Sequence, residues 1–489
     1  VEVDVAAGLP VIAVVGLPDT AVQESKERVK AAIKNAGFAF PMRRIVVNLT
    51  PADLRKEGPI FDLPIALGIL AASEQADASL LGDHMFLGEL SLDGSLRGVA
   101  GVLPIAAAAK GLGIRGIVVS QENCQEAALV EGLAVYGLKN LTEVVDFLSC
   151  PERFAPSVPC PAPVTASTTA YSLDLADVKG QHHARRALEI AAAGGHNLIF
   201  VGPPGSGKTL LARRLPGILP PMTFAEALEV TRIHSVAGLL KGRGLVGDRP
   251  FRSPHHSASG PSLVGGGGFP RPGEISLASH GVLFLDELTE FKREVLEFLR
   301  QPLEDGYVSI SRTRQSVTFP AQFMLVASTN PCACGYFGDA IQPCTCSPRK
   351  REQYWARLSG PLMDRIDLQV AVQRLKPEEM TRSPGGEGSA AVRQRVQAAR
   401  QIQQQRFAAL KQVNCNAQMQ AAQLREWCAL DDPSRLLLER AIKQLGLSAR
   451  ATDRILKVAR TIADLASHEV LSTAHLAEAI QYRTFDRVL

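Results

Sequence analysis

Long apolar runs are missing from this chain of 489 residues. A membrane helix needs roughly 18 to 20 consecutive apolar residues, and the nearest approach, Leu63 to Ala72, is shorter and broken by Pro64. A basic-then-apolar secretory leader is also missing from the sequence, which opens on Val1 rather than Met. The first absence excludes a helical membrane span, and the two together set the expectation of a cytoplasmic protein with no membrane partner. Paired cysteines are missing as well. The count of nine is odd, and four crowd into Cys332 to Cys346, which suits a metal or free thiols better than a disulfide framework. Strong net charge is absent at +4, so its distribution says more than its size. Between Gly388 and Arg425 stand six basic residues (Arg393, Arg395, Arg400, Arg406, Lys411, Arg425) and no acidic one. Such a stretch can meet phosphates, although a solvated helix face is the more common explanation of a charge run.

What remains is an ordinary globular composition, 46% hydrophobic and 21% charged, at a length that predicts about three domains. Residues 1–149 alternate short apolar runs (Val11 to Val15, Arg44 to Leu49, Gly116 to Val119) with helical stretches such as Ala21 to Ala36, the pattern of an α/β domain. Residues 150–171 are rich in Pro, Ser, Thr and Ala without hydrophobic period and read as a linker. A second α/β domain occupies 172–374. Beyond it the strands stop, Pro384 to Gly388 reads as a flexible break, and Val392, Val396, Ala399 and Ile402 fall at helical spacing, so 375–489 is expected to be all helical.

The sharpest motif is Gly202-Pro203-Pro204-Gly205-Ser206-Gly207-Lys208-Thr209, set behind the run Asn197 to Val201 and ahead of Leu210-Leu-Ala. Strand, glycine-rich loop and helix in that order make a phosphate-binding loop. The glycines let backbone amides turn toward phosphates, Lys208 brings a point charge to the β and γ groups, and Thr209 can hold Mg²⁺. ATP with Mg²⁺ is therefore the expected ligand. Asp286 and Glu287 follow four apolar residues, as a Walker B strand requires: Asp286 to hold Mg²⁺ through water, Glu287 to polarise the attacking water. Asn330 stands at the close of the next strand, Gln322 to Ala327, and is the candidate that orients water between the two. Ordinary strand-end capping fits that position too.

Seven blocks carry a family resemblance: Asp177 to Gln181, Glu189 to Asn197, the phosphate loop, Arg249 to His256, Asn330 to Gly335, Ser359 to Leu368 and Leu456 to Leu465. Over essentially its whole length the chain resembles the magnesium-chelatase-like AAA+ ATPases of the ComM or YifB type. The resemblance implies a P-loop α/β core with inserts in helix 2 and before sensor 1, a helical lid, and a hexameric ring with ATP between subunits. It assigns Arg365 as the arginine that reaches into the neighbour's site and Arg450 as the sensor 2 arginine. Arg357 competes for the first role. The implied function is an ATP-driven DNA motor that extends heteroduplex by branch migration in natural transformation. Single-stranded and branched DNA, and a recombinase, are the implied partners. A chelatase motor subunit or a protein-remodelling ATPase is the alternative.

Three further features bear on that picture. Tyr307 to Phe319 alternates as a hairpin whose tip, Arg312-Thr-Arg314-Gln315, suits sequence-blind contact with a DNA backbone, although a plain solvated turn fits the same residues. Within the helix 2 insert, His234 to His280, the run Gly265 to Gly268 predicts a mobile loop, and the adjacent His255 and His256 make a poor chelate. Cys332-x-Cys334 and Cys344-x-Cys346 offer four thiolates to a structural Zn²⁺, with reduced free thiols as the alternative. In the first domain, Lys56 to Pro59 and Gly88 to Arg97 resemble the Lon protease domain. Ile60 stands at the serine position and Val102 to Ile105 contains no lysine, so a non-proteolytic domain is expected.

Overall fold

In the computed structural model, which describes residues 1–158, 173–240, 242–267, 270–311, 316–375, 386–410, 413–483 and 485, alternate side chains of each central strand enter different cores. Leu198, Phe200, Val282, Phe284, Met324, Val326, Leu368 and Val370 join one buried cluster. Their neighbours Ile199, Val201, Leu283, Leu285, Leu325 and Ala327 join another. A strand with period-two side chains can be apolar throughout only if both faces are covered, which is the condition of a parallel sheet in an α/β layer. The sheet is accordingly parallel and five-stranded, in the order Phe251–Arg252, Val282–Leu285, Met324–Thr329, Leu198–Val201, Leu368–Ala371. Its carboxyl edge therefore collects the loops that follow Val201, Leu285 and Thr329, the place where open α/β sheets bind ligands.

Helices cover one face. His182–Gly194 packs on the cluster through Ala184, Ala187, Leu188 and Ala191. Ser389–Arg406 adds Val392, Val396 and Ala399, while Ile402 is only half-buried. Asp432–Leu445, Ala449–Leu465 and Thr473–Gln481 complete a C-terminal region in which every described element is helical.

The chain forms two compact units, Val1–Pro163 with Phe224–Val246, and Val164–Thr223 with Gly247–Leu489. The first unit holds two three-stranded sheets, one of Glu2–Ala6, Arg44–Asn48 and Val11–Val15, the other of His84–Phe86, Gly116–Ser120 and Ala134–Leu138. Helices Thr20–Asn35 and Asp62–Ala72 supply much of its core.

Three expectations need correction. The helix Phe224–Val236, expected inside the second domain, belongs to the first unit, where Ser235 O accepts from the Gly101 N–H at 2.9 Å. The start of the expected linker is docked: Pro151–Arg153 forms a 3-10 turn, Phe154 meets Phe147 edge to face, and the Ser157 N–H donates to Val135 O at 2.7 Å. Residues 159–171 lie outside the described residues. The glycine run is partly built into structure, because Gly265–Gly266 pairs with Arg271–Pro272 and a Cβ at Gly265 would collide with the Arg271 carbonyl. Glycine here permits close packing rather than motion. Gly268 and residues 384–385 of the expected break lie outside the described residues.

Candidate nucleotide site

Two glycines shape the loop after Val201. A Cβ on Gly202 would strike the Val372 carbonyl, and Gly207 takes φ +92°, a left-handed conformation that side chains with a Cβ resist. Helix Lys208–Ala212 starts there, and Lys208 folds back over the loop. Its Nζ donates to Gly202 O at 2.6 Å, Pro203 O at 3.0 Å and Asn330 Oδ1 at 3.2 Å. Burial pushes its ammonium down to about 8, against the pull of Asp286 and Glu287. A cation held by neutral carbonyls in a desolvated site gains from the arrival of an anion. Ser206 Oγ is buried and has no hydrogen-bond partner among the described residues, so it too is ready to donate to a phosphate oxygen. Gly205, at φ +77°, completes the turn, and the Pro204 carbonyl accepts from Arg374 Nε at 3.1 Å.

Beside the loop, Thr209 Oγ1 donates to Asp286 Oδ2 at 2.9 Å, and Ser328 Oγ donates to Asp286 Oδ1. A hydroxyl and a carboxylate in that relation can share the coordination shell of Mg²⁺, which keeps several waters. Glu287 is bent away from its strand at φ +54°, rare for a residue with a side chain, and its N–H donates to Ser328 Oγ at 3.3 Å. The turn leaves its carboxylate about half exposed. Strain at one residue of a polar site is the kind of outlier that accompanies function.

Two participants escaped the sequence. Ser328 holds both acidic residues, and only its place at the end of a strand hinted at it. His256, set aside as a poor chelator, has Nδ1 3.7 Å from Glu287 Oε2 and lies edge-on to Phe291. No spacing rule points from position 256 to 287.

The expected arginines gather elsewhere. Arg365 is buried, donates from Nη1 to Pro361 O at 2.6 Å and pairs through Nη2 with Glu304. Arg450, largely exposed, approaches the same carboxylate at 3.9 Å. Arg365, Arg450 and Arg300 hold Glu304 below the usual carboxylate range, Arg365 most strongly through its hydrogen bond. Arg357 reaches Glu290 Oε1 at 3.3 Å and Thr289 O at 3.4 Å. Within one chain, then, Arg365 and Arg450 meet each other at Glu304 rather than Lys208.

The hairpin arms Tyr307–Ser311 and Ser316–Pro320 pair in the register Val308 to Phe319 and Ile310 to Val317. Arg312 and Arg314 lie outside the described residues. The basic C-terminal stretch is not a free phosphate-binding face: Arg393 donates to Gly217 O, Arg395 to Glu189 and Glu387, Arg400 to Ala192 O, and Arg406 to Asp464. Four of its six cations thus clamp helices of their own unit. The Sγ atoms of Cys332, Cys334, Cys344 and Cys346 all lie within 4.8 Å of one another, close enough to share one metal ion.

Comparison with known proteins bears on the whole chain. Residues 174–380 match the family model for magnesium chelatase, subunit ChlI, residues 1–123 that for subunit ChlI of Mg-chelatase, and residues 386–483 that for the subunit's C-terminal region. The chain is 47% identical to the competence protein ComM of Haemophilus influenzae over 100% of this chain and 95% of that protein. Against YifB of Escherichia coli it is 45% identical over 100% of this chain and 94% of the relative. The magnesium-chelatase 67 kDa subunit of Chlorobaculum parvum is 30% identical over only 32% of this chain. The chain belongs to the ComM/YifB family of magnesium-chelatase-like AAA+ proteins.

Proposed function

We propose that this member of the family is a cytoplasmic, hexameric ATPase that moves along DNA and extends heteroduplex by branch migration during natural transformation. The observation that carries the ATPase part of the reading is the convergence of Lys208, Thr209, Asp286 and Asn330 at one edge of the sheet, with Glu287 turned outward beside them. In this reading ATP binds with Lys208 against its β and γ phosphates, and Gly202 to Gly207 wrap them. Thr209 and Asp286 hold Mg²⁺, which when bound neutralises charge on the phosphates. Glu287 takes the proton of the attacking water, and Asn330 orients that water. Arg365 reaches the γ-phosphate across a subunit boundary, for which it must leave Glu304, with Arg357 as the competing candidate, and Arg450 of the helical region stabilises the same charge as the sensor 2 arginine. Arg312 and Arg314 touch the DNA backbone, and a recombinase is the natural partner for loading it. The first unit serves ring or DNA contacts and not proteolysis.

The name of the Haemophilus relative, a competence protein, supports the DNA reading. The three chelatase family models support a second one, a motor subunit driving metal insertion by a partner. The short reach of the match to the 67 kDa chelatase subunit favours the first.

Steady-state ATP hydrolysis without DNA, with single-stranded DNA and with a branched junction separates them, using Glu287→Gln as the blank. Stimulation by DNA that weakens as salt rises is expected. Intact basal turnover that no DNA stimulates would move the reading to the chelatase or protein-remodelling class. Rings mixed from Arg365→Ala and Lys208→Ala subunits test the shared site: each variant alone is inactive, and mixing restores part of the turnover.

A further inference from the structure

We propose that Cys332, Cys334, Cys344 and Cys346 bind one Zn²⁺ as a tetrathiolate, and that this metal sets the nucleotide affinity of the neighbouring site by pinning its loop against Pro204. The second half of the proposal rests on the nucleotide reading given above.

The sulfurs are arranged for one tetrahedral ion. Cys332 Sγ lies 3.4 Å from that of Cys334 and 3.7 Å from that of Cys344, and Cys334 and Cys344 are 3.6 Å apart. A Zn–S distance of about 2.3 Å implies sulfur separations of about 3.8 Å around a tetrahedron. All four thiols are free, and separations of that size are far beyond a disulfide bond of about 2.05 Å. The Cys346 N–H points at Cys344 Sγ at 3.4 Å, the outer-shell donor that a bound thiolate recruits.

The segment also needs a staple. Between the strand that ends at Thr329 and the helix that begins at Pro348 no helix or strand forms. Loops beyond roughly 12 to 15 residues without such elements are uncommon in compact domains. Phe337 and Ile341 are exposed, so the loop has little core of its own. Four thiolates and an ion supply the missing cross-link.

Its contacts lead to the phosphate-binding loop. Gly335, at φ +90°, sits so close that a Cβ there would lie 2.8 Å from Pro204 Cδ. Arg374 donates to Pro204 O at 3.1 Å, lies over the Tyr336 ring at 5.3 Å and pairs with Asp339 Oδ2 at 3.5 Å. Tyr336 and Asp339 fall between the two cysteine pairs. Closing those pairs on one ion therefore fixes the residues that hold Arg374, and Arg374 holds the backbone of the loop that cradles phosphate. At the other end Trp355 Nε1 donates to Pro331 O at 3.1 Å, so Asn330, two residues before Cys332, is anchored from both sides.

The test measures metal and nucleotide separately on the full chain. Plasma mass spectrometry of protein purified without chelator should find one zinc per chain and no stoichiometric iron. Titration with a fluorescent ATP analogue follows for wild type, Cys344→Ser and Arg374→Ala. Cys344→Ser should lose the zinc and bind the analogue roughly tenfold more weakly, and Arg374→Ala should keep its zinc and weaken binding to a similar degree. If Cys344→Ser fails to fold, the wild-type zinc content and Arg374→Ala still decide. A wild-type chain without zinc, or with iron in its place, overturns the metal site. Wild-type affinity in Arg374→Ala, or in folded, zinc-free Cys344→Ser, overturns the coupling. A chain that carries zinc but binds no ATP overturns the nucleotide reading, and the coupling with it, while the metal site stands.

Discussion

The two edges of the five-stranded sheet each carry a cluster of charge, and they are built to opposite rules. At the carboxyl edge Lys208 rests on neutral carbonyls, Ser206 Oγ has no partner among the described residues, and the Glu287 carboxylate stands half in solvent on a strained backbone. At the amino edge nearly every such group is buried and paired. Asp367 receives the Asn197 N–H at 3.0 Å and Arg454 Nη1 at 2.5 Å, and His196 Nδ1 lies 3.4 Å away. Asn197 returns the tie by accepting the Asp367 N–H at 3.0 Å. Charge left under-paired can be exchanged for a ligand, whereas charge fully paired in the interior fixes one arrangement of strands and lid. In the proposed function the first edge serves chemistry, while the second holds the Ala449–Leu465 helix, which carries Arg454, to the sheet.

Substitutions at the two edges should therefore fail in different assays. Glu287→Gln is expected to lower ATP turnover by about 10² to 10⁴, the usual range for a general base, with nucleotide affinity and unfolding midpoint kept. Turnover within a few-fold of wild type would remove Glu287 from the chemistry. Asp367→Ala strips a buried carboxylate from Arg454, His196 and the Asn197 amide. Breaking a buried pair costs about 3–5 kcal/mol, so denaturant titration should show a loss of that order. Whatever protein remains folded should bind ATP as before. Wild-type stability in Asp367→Ala would mean that the amino edge is no clamp.

The same contrast explains what could be read in advance. The phosphate-binding loop, the strand before Asp286 and the alternating hairpin arms are local patterns, each fixed by a few neighbours in sequence, so their spacing announces them. The clamp joins positions 196, 367 and 454, and the basic stretch turns out to be spent on Glu189, Glu387 and Asp464, partners as far as 206 residues away. Nothing local marks an arginine as internal, because its stem and head look alike in sequence whether solvated or buried. Arg450 and Arg454 illustrate the limit. One helical turn apart on the same helix, the first approaches Glu304 near the surface and the second enters the sheet edge at Asp367. The His256 contact to Glu287 was hidden for the same reason. The zinc-type cluster lay between these cases, since its cysteines are near in sequence while its hold on Pro204 depends on Arg374.

The smallest effect, a pH dependence, separates the members of the clamp itself. Burial drives the His196 pKa below its ordinary 6.5, against the attraction of Asp367, so the folded chain resists protonation of the ring. The unfolded chain takes up a proton there as pH falls through about 6.5, the folded chain only at lower pH, and stability is lost in that direction. Asp367 is driven the same way by burial's opponents: burial favours its neutral form, but Arg454 and His196 overcome it and hold the carboxyl well below its usual range. Its contribution is complete above the ordinary carboxylate value of 3.8 and lost only as pH falls beneath it. Between about pH 7.5 and 5 the slope therefore belongs to histidine and not to the carboxylate. His183 and His475, also lowered by burial, lean the same way, so the variant comparison matters more than the raw curve. The unfolding midpoint of the wild type should drop across that window, and His196→Gln, whose amide is chosen to replace the 2.8 Å contact of His196 Nε2 with Thr461 Oγ1, should start lower and drop less. Parallel curves for the two proteins would show that His196 is not the group that titrates.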